Sequence, residues 1–185
     1  MENTANEKKG TGSMCIVIQH RKDAPENSCI AVEGFANRMK YRKVKVEDRE
    51  VGVVQLDLTA SLPDHKVRWL FGEELVNEYH NVHFQISFWD RNAELLKQYP
   101  PYEGQLVTVG ITGMKIREWN DQEGRKRYTV QGVSKDTIGK RGWKREDAER
   151  FVLDPEEGTE PPEDLKALGF VFASAEDLGE GELPF

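Results

Sequence analysis

Apolar and polar residues alternate along most of the middle of the chain, the period-two pattern of strands that bury one face. The alternation predicts strands over residues 30–36, 40–46 and 51–62, the last with Val54, Leu56 and Leu58 on one face. It is clearest over residues 81–89, where Val82, Phe84, Ile86 and Phe88 share one side and His83, Gln85, Ser87 and Trp89 the other. The first side reads as core; the second is polar yet ends in an indole. Asp90 can cap a short helix over residues 91–99, which Pro100 and Pro101 terminate. Two long strands, 105–119 and 126–138, flank a turn at 120–125 that carries Asn, Asp and Gly. Residues 63–79 read as a long connection that holds Trp69, Leu70 and Phe71.

Three strands, a strand leading into one short helix, then a long hairpin: this order predicts an all-β, five-stranded Greek-key barrel of the OB type. Alternating βαβ units fit poorly, because only one helix is convincing. The barrel is expected over residues 30–138. Residues 1–29 read as a leader, with the pattern of a short extra strand at 14–20. Residues 139–175 read as a flexible acidic linker, rich in Pro and Glu at 154–164, and 176–185 as the tip of a disordered acidic tail.

Charge sharpens this division. The 185 residues carry a net charge of −7. Residues 30–145 hold twenty Lys or Arg against sixteen Asp or Glu, whereas 146–185 hold thirteen acids against two bases. A mildly basic domain therefore precedes an acidic tail, an asymmetry typical of a binding domain with an interaction segment. No run approaches the ~18 apolar residues needed to cross a bilayer, and the first residues lack the apolar stretch of a signal peptide, so a cytoplasmic protein is expected. Cys15 and Cys29 have no CxxC spacing and read as free thiols. His20, His65, His80 and His83 are scattered, and nothing resembles a nucleophile elbow, a phosphate loop or a metal cluster. Neither catalysis, a metal nor a cofactor is expected.

Unpaired nucleic-acid strands are held by cations along the phosphates and by aromatic rings against the bases. Aromatics and bases should then share the polar faces of strands. Lys115, Arg117 and Trp119 fall on one face of the predicted strand 105–119, and Trp89 ends the polar face of 81–89. Arg125, Lys126, Arg127 and Tyr128 lie across the hairpin from Trp119. Lys40, Arg42 and Lys43 add positive potential, and Trp69 and Phe71 offer rings in a loop. Either tryptophan alone would serve equally as an edge-of-core residue; the neighbouring cations favour stacking.

The stretch Phe88-Trp89-Asp90-Arg91-Asn92-Ala93-Glu94 resembles the strand-to-helix junction of the bacterial single-stranded DNA-binding protein family. Residues 119–128 are similar to that family's hairpin, W-x-D-x-x-G-x-x-R-Y. Residues 32–38 resemble its first strand and 52–61 its third, so the likeness covers roughly residues 30–138. The resemblance implies that Trp89 and Trp119 stack on bases, that Trp69 stands near a third stacking position, and that His83 replaces an aromatic. It also implies a homotetramer, a nucleoid-associated location, and a role in replication, recombination and repair. Family members end in acids followed by a small apolar tip; here Glu180, Glu182, Leu183, Pro184 and Phe185 form that ending, with Leu in place of the usual Ile. A terminal Phe can enter an apolar pocket while its carboxylate meets a cation, so docking of replication, recombination and repair proteins is expected there. The competing expectation is an OB-fold adaptor of the replication-restart type that binds mainly protein.

Overall fold

The computed structural model describes residues 14–21, 23, 27–77 and 79–153, and the backbone of 155–156. Strand β2 (Cys29–Val46) is the element around which the sheet closes. Its first half, from Cys29 to Phe35, runs antiparallel to β5 (Leu106–Asn120); its second half, from Phe35 to Val46, runs antiparallel to β3 (Arg49–Ser61). From β3 the sheet continues through β4 (Asn81–Trp89) and β6 (Lys126–Val133) back to β5. Every pairing in this ring is antiparallel except β4 with β6, which is parallel. The ring is a closed all-β barrel.

Alternation sorts the side chains as the sequence predicts. Leu56, Leu58 and Ala60 of β3, Phe84, Ile86 and Phe88 of β4, and Val107, Val109 and Ile111 of β5 meet in one core, each at most 1% exposed. Burial of this kind contributes about 25 cal/mol per Å² of apolar surface removed from water. Two close approaches tighten the ring. A Cβ at Gly34 would stand 2.6 Å from the Thr59 carbonyl oxygen, and one at Gly132 would collide with the Ile111 side chain. Both positions thus require glycine for space rather than for backbone freedom.

Several elements differ from expectation. Residues 30–36 and 40–46 form one strand, not two. The chain stays extended through Asn37 and absorbs the change as a bulge, with the register to β3 shifting between Ala36 and Arg38. The bulge moves the inward face from even to odd positions, so Met39 and Tyr41 continue the core. The long connection contains a helix, α1 (Asp64–Phe71), followed by a 3₁₀ turn at Glu73–Leu75. Val67, Leu70 and Phe71 line its buried side at i, i+3 and i+4, the spacing of a helical apolar stripe. The protein therefore has two helices among the described residues rather than one. The second, α2 (Asp90–Gln98), closes the barrel end with Ala93 and Leu96 buried. Asp90 does not cap it: the residue has φ 50°, and its carboxylate lies 3.5 Å from Arg49.

The extra strand is present as β1 (Cys15–Gln19), antiparallel to the start of β2 on the edge that β3 leaves free. At the other end of the chain, residues 139–153 pack on the barrel instead of forming a loose linker. Strand β7 (Lys140–Arg141) pairs with β5, Arg141 and Arg150 donate to the Pro100 carbonyl, and Leu153 is buried. Strand β8 (Pro155–Glu156) then runs parallel to Tyr41 and Arg42 of β2. Among the described residues, no helix is long and apolar enough to cross a membrane.

Candidate nucleic-acid interface

The outward residues of β3, β4 and β6 stand side by side in register. Thr59 faces His83, Asp57 faces Gln85, and Gln85 faces Gln131. Next along, β5 brings Lys115 opposite Gln131, Arg117 opposite Thr129 and Trp119 opposite Arg127. A groove of about 690 Å³ crosses these strands. Its walls include Arg38, Arg117 and Trp119, and its floor includes Thr59, His83, Gln85 and Gln131. A smaller recess continues it toward β2, between Arg38, Lys40 and Arg42.

Hydrogen bonds hold this floor. Asn37 donates its amide to Thr59 Oγ1 at 2.6 Å, and Thr59 Oγ1 lies 3.1 Å from His83 Nδ1. Gln131 donates to Gln85 Oε1 at 2.6 Å, and Gln85 donates to Asp57 Oδ1 at 3.3 Å. Fixed amides and hydroxyls offer donors and acceptors without rotamer loss on binding. Desolvation by the groove walls, and then the Arg127 charge, hold the His83 pKa below its ordinary value, against the weaker pull of Asp57. The ring is therefore a neutral, flat surface at pH 7.

Trp119 is 44% exposed, and its indole N–H donates to Thr129 Oγ1 at 3.0 Å. That bond fixes the ring while leaving its face open to the groove. Arg127 beside it is held by Asp121 at 3.0 Å, as is Arg125. Desolvation acts to raise the Asp121 pKa, but backbone N–H groups and the two guanidinium groups outweigh it and hold the carboxyl well below the usual range. Asp121 Oδ1 also accepts from the N–H of Glu123 and Arg125, so the turn that W-x-D-x-x-G-x-x-R-Y encodes organises both arginines.

The expected site residues divide into several groups. Trp119, Arg117 and His83 meet in the groove, with Arg127 and Lys115 in register on the same face; Lys40 and Arg42 rim the recess. Trp89 lies on the outward face too, opposite Val53, but is half-buried over Val44, Val51 and Val53 and does not line the groove. Phe71 is a correction: it is 8% exposed and packs edge-on against Phe84, 5.8 Å between centroids, because helix α1 turns it inward. Trp69 is 56% exposed but stands away from the groove, 4.5 Å from the His20 ring. Lys126 and Tyr128 occupy the other face of the hairpin, since alternation sets them opposite Arg127; Lys126 bonds Glu118 at 2.9 Å, and Tyr128 packs on the core. Lys43 likewise faces away from Arg42 and pairs with Glu50 at 3.7 Å. Glu180, Glu182, Leu183, Pro184 and Phe185 lie outside the described residues.

Asn37, Arg38, Asp57, Thr59 and Gln131 were not expected in the site. The bulge at Asn37 is what turns Arg38 outward, and no local signal announces it. A second aromatic pair was also missed: Phe35 and Trp143, 41% and 63% exposed, meet edge-on at 6.5 Å. Phe35 stands beside Thr59 in the β2–β3 register, but neither ring lines the groove.

No protein-family model and no curated protein matches the chain. The geometry of the barrel's outer face therefore carries the functional argument. Among the described residues, no three His, Cys, Asp or Glu side chains are grouped to hold a metal ion.

Proposed function

We propose that the chain binds single-stranded DNA without fixed sequence, on an OB-type barrel, and takes part in replication, recombination and repair. The observation that carries this reading is the shared groove: an exposed, anchored indole at Trp119, the cations Arg38 and Arg117, and a polar floor on one outward face. Such a combination suits phosphates along the rim and bases lying flat against rings. The ring order β2-β3-β4-β6-β5 with one parallel pair, and a helix between the third and fourth of its strands in chain order, supports the OB reading. The family resemblance at 88–94 and 119–128 supports it further. A homotetramer and recruitment of partner enzymes through Leu183, Pro184 and Phe185 belong to the same proposal.

Titrating the intrinsic tryptophan fluorescence with a (dT) oligonucleotide tests it. Saturable quenching is expected, weakening with salt as counterion release requires. Trp119→Ala should weaken binding about tenfold, the loss of roughly 1–3 kcal/mol of stacking. An absence of quenching and of binding in the intact chain would sink the reading.

The adaptor reading draws on one observation. Met14, just before β1, and Ile16 and Ile18 within it are 40%, 51% and 66% exposed, an apolar stretch at the margin of the sheet that a protein partner could cover. Binding of protein partners without any (dT) affinity would favour it.

A further inference from the structure

Residues 140–145 read Lys-Arg-Gly-Trp-Lys-Arg, four cations around one indole with no acid among them. The segment is fastened to the barrel by its backbone and by Arg141. The Gly142 N–H donates to the Leu106 carbonyl at 2.7 Å, the Trp143 carbonyl accepts from the Leu106 N–H at 2.8 Å, and the Arg141 guanidinium donates to the carbonyls of Tyr99 and Pro100. An indole that served to anchor the segment would be buried, yet that of Trp143 is 63% exposed. Its ring meets Phe35, 41% exposed, at 6.5 Å with the two planes at 90°. In an edge-to-face pair only one ring gives up one face, so at least one face of each ring stays outside the contact.

Register ties this pair to the groove. Leu106 of β5 stands beside Phe35 of β2, Phe35 beside Thr59 of β3, and Thr59 beside His83 of β4. Partners across a sheet share a face and neighbouring strands lie ~4.8 Å apart, so the row from Leu106 to His83 covers about 14 Å. Thr59 and His83 at one end belong to the groove; Phe35 at the other end meets the Trp143 ring. Two residues further along β5, Thr108 stands beside Lys140, which puts that exposed cation on the same outward face. We propose that a bound strand leaves the groove across Thr59 and stacks a further base on Phe35 and Trp143, with Lys140 at its phosphates. The inference rests on the single-stranded DNA reading above and extends the footprint beyond the barrel to residues 140–145. Stacking of this kind accepts any base, because every base has a π face, so the extension adds affinity without sequence preference.

The test uses two (dT) oligonucleotides on the full chain, of about 4 and about 16 nucleotides, the two ends of the range that one OB barrel covers. The short one is seated by the groove alone; the long one reaches Trp143. Trp143→Ala should weaken the long oligonucleotide about tenfold, the loss of one stacked base, and leave the short one unchanged. Trp119→Ala should weaken both. Trp143→Phe, which keeps a ring, should restore most of the long-oligonucleotide affinity, and an unchanged unfolding midpoint of Trp143→Ala excludes misfolding as the cause. Lys140→Gln should lower the slope of log affinity against log salt by about 0.7 for the long oligonucleotide, the value of one phosphate contact on a single strand. Unchanged affinity of Trp143→Ala for the long oligonucleotide, or equal weakening of both lengths, overturns the extension while leaving the DNA reading intact. Failure of the wild type to bind either length overturns both.

Discussion

At the scale of single residues, the site depends on groups that are held before any ligand arrives. Trp119 is pinned by Thr129, Arg127 by Asp121, and His83 by Thr59. His83 also links the site to pH. Its folded pKa lies below its ordinary value, so the unfolded chain takes up the proton first. Its contribution to stability is complete above the ordinary histidine value, about 6.5, and is lost as pH falls from there through the folded pKa. Thermal unfolding at pH 7 and pH 5 should therefore show a larger loss for the wild type than for His83→Gln; equal losses would show that His83 does not couple folding to protons. The sequence exposed Trp119, Arg117 and His83 because strict alternation ties each to the outward face. It misled at Lys43, Lys126 and Tyr128, where closeness along the chain was taken for closeness in space. In a strand, adjacent residues point apart.

At the scale of elements, the strands after residue 50 follow expectation closely, since apolar residues recur there without interruption, except that β6 stops at Val133 rather than at 138. Two of the misreadings involve a change of period. The bulge at Asn37 shifts the alternation by one within β2, which looks like a break between two strands. In α1, Trp69 and Phe71 drew the eye as loop rings while Val67, Leu70 and Phe71 carried a helical stripe. Contact between elements is as specific as the elements themselves. Buried Tyr41 of β2 donates its hydroxyl to Glu94 of α2 at 2.5 Å, with Lys97 stacked 4.4 Å above the ring. Burial, then the bond and charge of Glu94, push the phenol well above its usual pKa, so the hydroxyl stays a donor at all ordinary pH. Tyr41→Phe should lower stability by about 1.5–3 kcal/mol, the range for a hydrogen bond to a charged group, read from urea unfolding with the slope unchanged.

At the scale of the whole molecule, charge and architecture are separated along the chain. Residues 157–185 carry eight acids against one lysine, and the backbone just before them lies beside Arg42. Ending the chain after Glu156 should leave the unfolding midpoint unchanged and strengthen binding of (dT) at low salt only, because screening removes the competition. Ending it after Arg145 should instead cost about 2–5 kcal/mol, since Leu153 leaves the core and Phe151 and Arg150 lose their places against residues 100–102. The extent of the folded unit was illegible in advance because residues 139–153 bury few side chains and attach mainly through backbone carbonyls. Strand β2 has the widest reach of all. One stretch of chain is zipped to β5 at its start and to β3 at its end, so the two flanks of the barrel share a spine. Neither flank can peel away and leave the other whole, and the groove that spans them is kept or dissolved as a unit.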